Sequence, residues 1–223
     1  MNSDSDLICI EPVTKADACI IWLHGLGADG YDFEAVSSAM DLTDNYAFRF
    51  ILPHAPVRSV TLNGGMQMRA WYDIYGIGKS YPEDEQGIAN SHTRIADLIA
   101  GQIREGIPST HIFLVGFSQG GSMALHTGLR FSEPLAGVAC LSGYLSLRQA
   151  LPEQIQRGQL QTPILMMHGS EDQVVDYALA EQSYKILSNH ELNVSWLEYQ
   201  HGHTVSLDQL ADLSGFISRC LAD

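Results

Sequence analysis

An α/β architecture, a mostly parallel central sheet flanked by helices, is what this 223-residue chain implies. Two observations point there. Short runs that are apolar throughout recur along the chain, as in strands buried on both faces of a parallel sheet. Amphipathic stretches of helical length separate them, the alternation expected of a parallel sheet with helical crossovers. No internal repeat and no Pro/Ser-rich linker interrupts the pattern. Residues 1–223 therefore read as one domain, within the ~250–300 residues at which single cores stop growing.

The elements follow in order. Residues 7–10 suit a short edge strand. The first strong strand covers 18–24, followed by a helix over 31–40 and a strand over 48–52. The clearest helix covers 82–105, where Ile88, Ile95, Ile99 and Ile103 join Leu98 in one apolar stripe. Ser80 stands three residues before Glu83, a capping-box spacing, and Pro82 suits the first turn. Strands over 112–117, 135–141, 163–168 and 194–199 complete the sheet. Helices over 119–130, 176–187 and 207–221 pack around it, with Asp176 as a capping residue.

Composition excludes several classes of function. Hydrophobic residues make up 45% of the chain and charged residues 17%, which argues for a packed core and against disorder. The net charge of −14 repels phosphate backbones, and no cluster of three Lys/Arg offsets it, so no nucleic-acid partner is expected. The longest apolar run, from Ala18 to Leu23, is far short of the ~20 residues of a membrane helix, so no stable membrane insertion is expected. The polar, acidic start lacks signal-peptide character. Cys9, Cys19, Cys140 and Cys220 lie far apart without a C-x-x-C, as thiols in a reducing compartment do. A cytoplasmic location is the expectation.

In parallel sheets, ligands bind where the strands end, and four such ends carry chemistry here. After strand 112–117 comes Gly116-Phe117-Ser118-Gln119-Gly120, a G-x-S-x-G nucleophile elbow. A serine on so sharp a strand-to-helix turn needs small neighbours. The helix that follows points free N–H groups at a reacting oxygen. Serine also needs a base to take its proton, and this class of elbow places an acid and then a histidine later in the chain. Asp172 follows strand 163–168 and His203 follows strand 194–199. Asp172 would orient the imidazole of His203, the general base and then acid. Glu171 and Asp176 compete with Asp172, and His201 with His203. A metal site at His201 and His203 lacks a third ligand of suitable spacing, so neither metal nor cofactor is expected.

The fourth such end is His24-Gly25-Leu26-Gly27-Ala28-Asp29-Gly30. Gly25, Gly27 and Gly30 fit a dinucleotide G-x-G-x-x-G. However, strand 48–52 runs into Pro53-His54, where that motif wants an acidic residue. Beside an elbow the loop reads better as an oxyanion loop, with the amides of Leu26 and Gln119 holding the negative oxygen of a tetrahedral intermediate. Between strand and long helix, segment 57–77 is unusually apolar for a connection. It holds Leu62, Met66, Met68, Trp71, Tyr72, Ile74 and Ile77, and serves either as a wall for an acyl chain or as a flap over the core.

With these pieces assembled, the chain resembles the carboxylesterase/acyl-protein thioesterase family of α/β-hydrolases over nearly its whole length. The resemblance rests on HGLGADG, PHAPVRSVTLNGGMQMRAWYDI at 53–74, GFSQGG at 116–121, LAGVACLSGYL at 135–145, HGSEDQVV at 168–175 and the Gly202-His203 pair. The Asn-Gly-Gly at 63–65 looks more like bacterial members. The resemblance implies a compact α/β-hydrolase fold, a Ser118–Asp172–His203 triad and an oxyanion hole at Leu26 and Gln119. It implies Ile74, Ile77, Tyr144 and Val174 as acyl-site lining. It implies small acyl esters or thioesters as substrates, with lysophospholipids or acylated proteins as close variants, and homodimers occur among members. The chain departs from members at His201-Gly202-His203-Thr204, where many have Met-Gly-His-Ser, and at Tyr144, where some carry Trp. A non-catalytic binding protein on this fold would be expected to lack one of the three triad residues.

Overall fold

The computed structural model describes residues 6–43, 45–76, 81–156 and 160–222. The first half contains β1 (Leu7–Ile10), β2 (Ala18–Leu23), α1 (Val36–Ala39), β3 (Phe48–Pro53), β4 (Val57–Val60), β5 (Met66–Arg69) and α2 (Glu85–Arg104). The second half contains β6 (Ile112–Phe117), α3 (Gln119–Gly128), β7 (Gly137–Leu141), α4 (Leu151–Gln154), β8 (Ile164–Gly169), α5 (Tyr177–Asn189), β9 (Val194–Tyr199) and α6 (Leu207–Cys220). Seven strands form one sheet in the order β1-β3-β2-β6-β7-β8-β9. All neighbours in it are parallel except the edge strand β1, which pairs antiparallel with β3.

Side chains of successive strand residues alternate between two cores. Cys19, Ile21 and Leu23 of β2 join Ile112, Leu114, Val138, Cys140, Ile164 and Met166, covered by Ile88, Ile95 and Ile99 of α2 and by Met123 and Leu125 of α3. Ala18, Ile20 and Trp22 face the other way with Phe113, Val115, Ala139, Leu141, Leu165 and Met167, covered by Leu210, Leu213, Phe216 and Ile217 of α6. Both faces of the central strands are dry, which is why their sequences show no polar alternation.

Three expectations need correction. The helix expected over 31–40 is two short pieces, a 3-10 turn at Gly30–Phe33 capped by Asp29, and then α1. Phe33, Val36 and Met40 still pack on one face of the sheet, which is what the periodicity recorded. The helix expected from Pro82 begins at Glu85, with Asp84 as its cap. The Asp84 carboxylate accepts from the amides of Gly87 (2.9 Å) and Asp73 (2.8 Å) and from Arg58 (3.1 Å), so it joins the helix start to the preceding segment. Ser80 of the expected capping box lies outside the described residues. Finally, segment 57–77, read only as an apolar connection, contains regular structure among its described residues. β4 and β5 form an antiparallel hairpin, Val57 opposite Arg69 and Val60 opposite Met66. Its strands have four residues each, too few for a period of two to stand out in the sequence, and β4 runs from exposed Val57 to buried Val60.

Candidate active site

Ser118 sits between β6 and α3 with φ 56° and ψ −121°, a backbone conformation that a non-glycine residue adopts only when its surroundings enforce it. The Ser118 amide donates to the Leu141 carbonyl at 2.8 Å, and its carbonyl accepts from the Ser122 amide at 3.0 Å. Glycine on either side is a matter of space. A Cβ on Gly116 would stand 2.2 Å from the Gly120 carbonyl oxygen, and one on Gly120 would stand 2.2 Å from that of Leu23. The first turn of α3 thus presses against the ends of β6 and β2, and the Ser118 side chain, free of any capping bond, is available to a base.

That base is in reach. His203 Nε2 lies 2.9 Å from Ser118 Oγ, and its Nδ1 lies 2.7 Å from Asp172 Oδ2. The Phe117 ring packs 4.7 Å from the imidazole and fixes its plane. Asp172 is buried, and its Oδ1 accepts from the amides of Val174 (2.8 Å) and Val175 (2.9 Å). Burial alone would raise the Asp172 pKa. The hydrogen bonds from His203, Val175 and Val174 outweigh it and hold the carboxyl below its ordinary value. A carboxylate can only accept, so the proton of His203 sits on Nδ1 and Nε2 is left to accept from Ser118. The competing residues lie elsewhere. Asp176 caps α5 by accepting from the Ala178 amide, Glu171 is exposed, and His201 Nδ1 bonds the Gly202 carbonyl.

Across from the elbow, Gly25-Leu26-Gly27-Ala28 forms a turn closed by the Ala28 amide on the Gly25 carbonyl at 3.3 Å. Gly27 has φ 77°, the left-handed value that the third residue of a type II turn requires. Its amide donates to the Arg69 carbonyl at 2.9 Å, tying the turn to β5. A Cβ on Gly25 would lie 3.3 Å from that of Ser118, so the turn runs directly beside the serine. Among the described residues, no protein acceptor takes the amide of Leu26 or that of Gln119. The Gln119 side chain reaches the other way. It accepts from the Trp71 amide at 2.9 Å and donates to the Tyr72 carbonyl at 2.8 Å.

The residues expected to line an acyl site separate into groups. Leu62, Met66 and Val174 are exposed, Met66 and Val174 at 62% each. Ile74 and Tyr144 are half-buried, and the Tyr144 hydroxyl meets that of Tyr72 at 3.2 Å. Ile77 lies outside the described residues. Trp71 corrects its expectation. It is fully buried, and its indole N–H donates to the His24 carbonyl at 2.9 Å, so it presents no face to an acyl chain or to a second copy. Sequence reasoning passed over two buried histidines. His168 donates to the Val175 carbonyl at 2.9 Å and lies 3.4 Å from Asp172 Oδ2. His24 bonds backbone on both sides of its ring. Both stand at the end of a parallel strand or one residue beyond, the one signal that could have found them.

Among the described residues, no group of three or more His, Cys, Asp or Glu could hold a metal ion, and no helix is long and apolar enough to cross a membrane.

Comparison with known proteins bears on this geometry. A model of the phospholipase/carboxylesterase family matches residues 5–221. Acyl-protein thioesterase 1 of Neurospora crassa is 37% identical, over 96% of this chain and 91% of its own. Acyl-protein thioesterase 1 of Schizosaccharomyces pombe is 36% identical, over 85% and 84%. The crystal structure of Arabidopsis thaliana SOBER1 superposes with a TM-score of 0.87 at 28% identity, over 92% of this chain and 99% of that one.

Proposed function

Because the chain belongs to the phospholipase/carboxylesterase family of α/β-hydrolases, we propose that its hydrolysis of esters or thioesters runs through Ser118, His203 and Asp172. The observation that carries this reading is His203 held between Ser118 Oγ at 2.9 Å and Asp172 at 2.7 Å. Ser118 Oγ attacks the acyl carbonyl while His203 Nε2 takes its proton, and the negative oxygen that forms is held by the amides of Leu26 and Gln119. His203 returns the proton to the departing alcohol or thiol. Water, deprotonated by His203, then attacks the acyl-enzyme and frees the acid and Ser118. Asp172 keeps the imidazole in one tautomer and stabilises it when charged.

The substrate class we infer is an acyl group bound as an ester or thioester, with acylated protein among its carriers. Two relatives named acyl-protein thioesterase 1 support this, and so do the exposed apolar residues Leu62, Met66 and Val174. The test is hydrolysis of p-nitrophenyl esters of two to sixteen carbons, wild type beside Ser118→Ala. Turnover by the wild type that vanishes in the variant is expected. A folded wild type that turns over no ester, with Ser118 inert to a fluorophosphonate, would overturn the assignment.

A further inference from the structure

His24 is the first residue after β2 and is completely buried, and the mechanism above leaves it unused. The Ala55 amide donates to its Nε2 at 2.9 Å. A backbone N–H can only donate, so Nε2 holds a lone pair and the ring proton sits on Nδ1. Nδ1 lies 2.7 Å from the Gly25 carbonyl oxygen and donates to it. The imidazole therefore has one tautomer and one orientation, set by the main chain on both sides. Burial, the largest influence, pushes the His24 pKa down to about 4, so the ring stays neutral and keeps that arrangement near pH 7.

The Gly25 carbonyl belongs to the same peptide unit as the Leu26 amide. In a trans peptide the two point in opposite directions within one plane. Holding the carbonyl against His24 thus fixes where the Leu26 N–H points, which is away from the imidazole. The Ala28 amide holds the same oxygen at 3.3 Å, and the Trp71 indole holds the preceding carbonyl, that of His24, at 2.9 Å. A hydrogen bond accepted by a peptide carbonyl also polarises the N–H at its other end and makes it a stronger donor.

We propose that His24 is a positioning residue for the reaction: its Nδ1–H clamps the Gly25–Leu26 peptide so that the Leu26 amide is aimed, before substrate arrives, at the oxygen that becomes negative. The inference rests on the assignment of the Leu26 amide as an oxyanion donor. It also goes beyond it, because it makes an imidazole that touches no substrate a determinant of transition-state binding. No proton leaves His24 during turnover, in contrast to His203.

Two amide substitutions separate this role from simple core filling. Asparagine places an N–H near Nδ1 and can still hold the Gly25 carbonyl, whereas glutamine places its amide near Nε2 and cannot. For His24→Gln, kcat on p-nitrophenyl butyrate should fall roughly 100-fold with KM changed less than about twofold. Affinity for an alkyl trifluoromethyl ketone, whose Ser118 adduct carries the oxyanion, should fall by about the same factor as kcat. His24→Asn should keep activity within about tenfold of wild type. Equal losses in folded Asn and Gln variants, or a loss carried by KM, would overturn the proposal. If neither variant folds, nitrogen-15 NMR of the histidines in the wild type decides. An Nδ1–H tautomer for His24 is expected, and an Nε2–H tautomer overturns the clamp. The proposed function beneath it, with Ser118 as nucleophile, fails in a different way, by turnover that survives Ser118→Ala. The clamp alone fails when Ser118 is essential and folded His24→Gln binds the ketone as wild type does.

Discussion

The two sides of the site are built by different rules. On one side, the ends of β2, β6, β8 and β9 carry His24, Ser118, Asp172 and His203, each held by hydrogen bonds of its own. Ser118 is held by Leu141 and Ser122, and Asp172 by two amides and His203. On the other side, the β4–β5 hairpin presents Leu62 and Met66 to solvent. Its hydrogen bonds to the rest include Gly27 and Ala55 on Arg69, Asp73 on Thr61, Ile74 on Leu62 and Asp84 on Arg58. Groups that must meet a developing charge within a fraction of an ångström are fixed by overlapping constraints. The hairpin residues proposed to meet a variable acyl chain are tethered at the margins, where side chains can change at small cost.

The largest effect expected on the rigid side is that of Asp172→Asn. An amide in place of the carboxylate no longer selects the Nδ1–H tautomer of His203, and kcat should fall by about 10⁴-fold. A loss below tenfold in steady-state turnover would mean that this half of the site is not organised around Asp172. The same residue carries an acid-side signature. Its folded pKa is below the ordinary 3.8, so the carboxylate stabilises the fold above about pH 4, the unfolded value. That contribution is lost as the pH falls through the folded value. Urea titrations should therefore show the stability gap between wild type and Asp172→Asn closing in acid.

The next largest effect contrasts a glycine from each region. Ala at Gly120 would put its Cβ 2.2 Å from the Leu23 carbonyl oxygen and 2.5 Å from that of His24. Backbone does not yield as a side chain does, so Gly120→Ala should cost about 3 kcal/mol in urea unfolding. Gly64 in the hairpin turn has φ 67° and nothing within 4 Å of an added Cβ. Gly64→Ala meets only the left-handed backbone penalty, about 1 kcal/mol. Equal costs at the two positions would erase the distinction between the regions.

That distinction also explains what could be read from the chain. Five of the six parallel strands are legible because both their faces are largely buried, β9 at the sheet edge being half-exposed, and the elbow because only glycine fits between Ser118 and the ends of β2 and β6. Asp172 and His203 were visible because each follows a strand. The start of α2 was misread, because Asp84 caps the helix by gathering donors from Asp73 and Arg58, which are distant in sequence. The hairpin is not legible because four residues per strand are too few for a period of two to stand out. Whether Trp71 belongs to an acyl-chain wall or to a flap over the core is not legible, because hydrophobicity does not reveal that an indole N–H has a buried carbonyl to meet.

The smallest expected effect lies where the constraints are loosest. Met66 is 62% exposed and stands opposite Val60 at the end of the hairpin. Met66→Ser should therefore change stability by no more than about 0.5 kcal/mol. If the hairpin meets the acyl chain, the lost apolar contact should appear only with substrates long enough to reach it. Covering part of a methionine side chain is worth about 1 kcal/mol, or roughly a fivefold rise in KM for a long-chain ester. The KM for acetate esters and the kcat for both should stay as in the wild type. A uniform drop in kcat would instead couple the hairpin to the rigid side, by the route that runs from Arg69 through Gly27 to the turn holding the Leu26 amide.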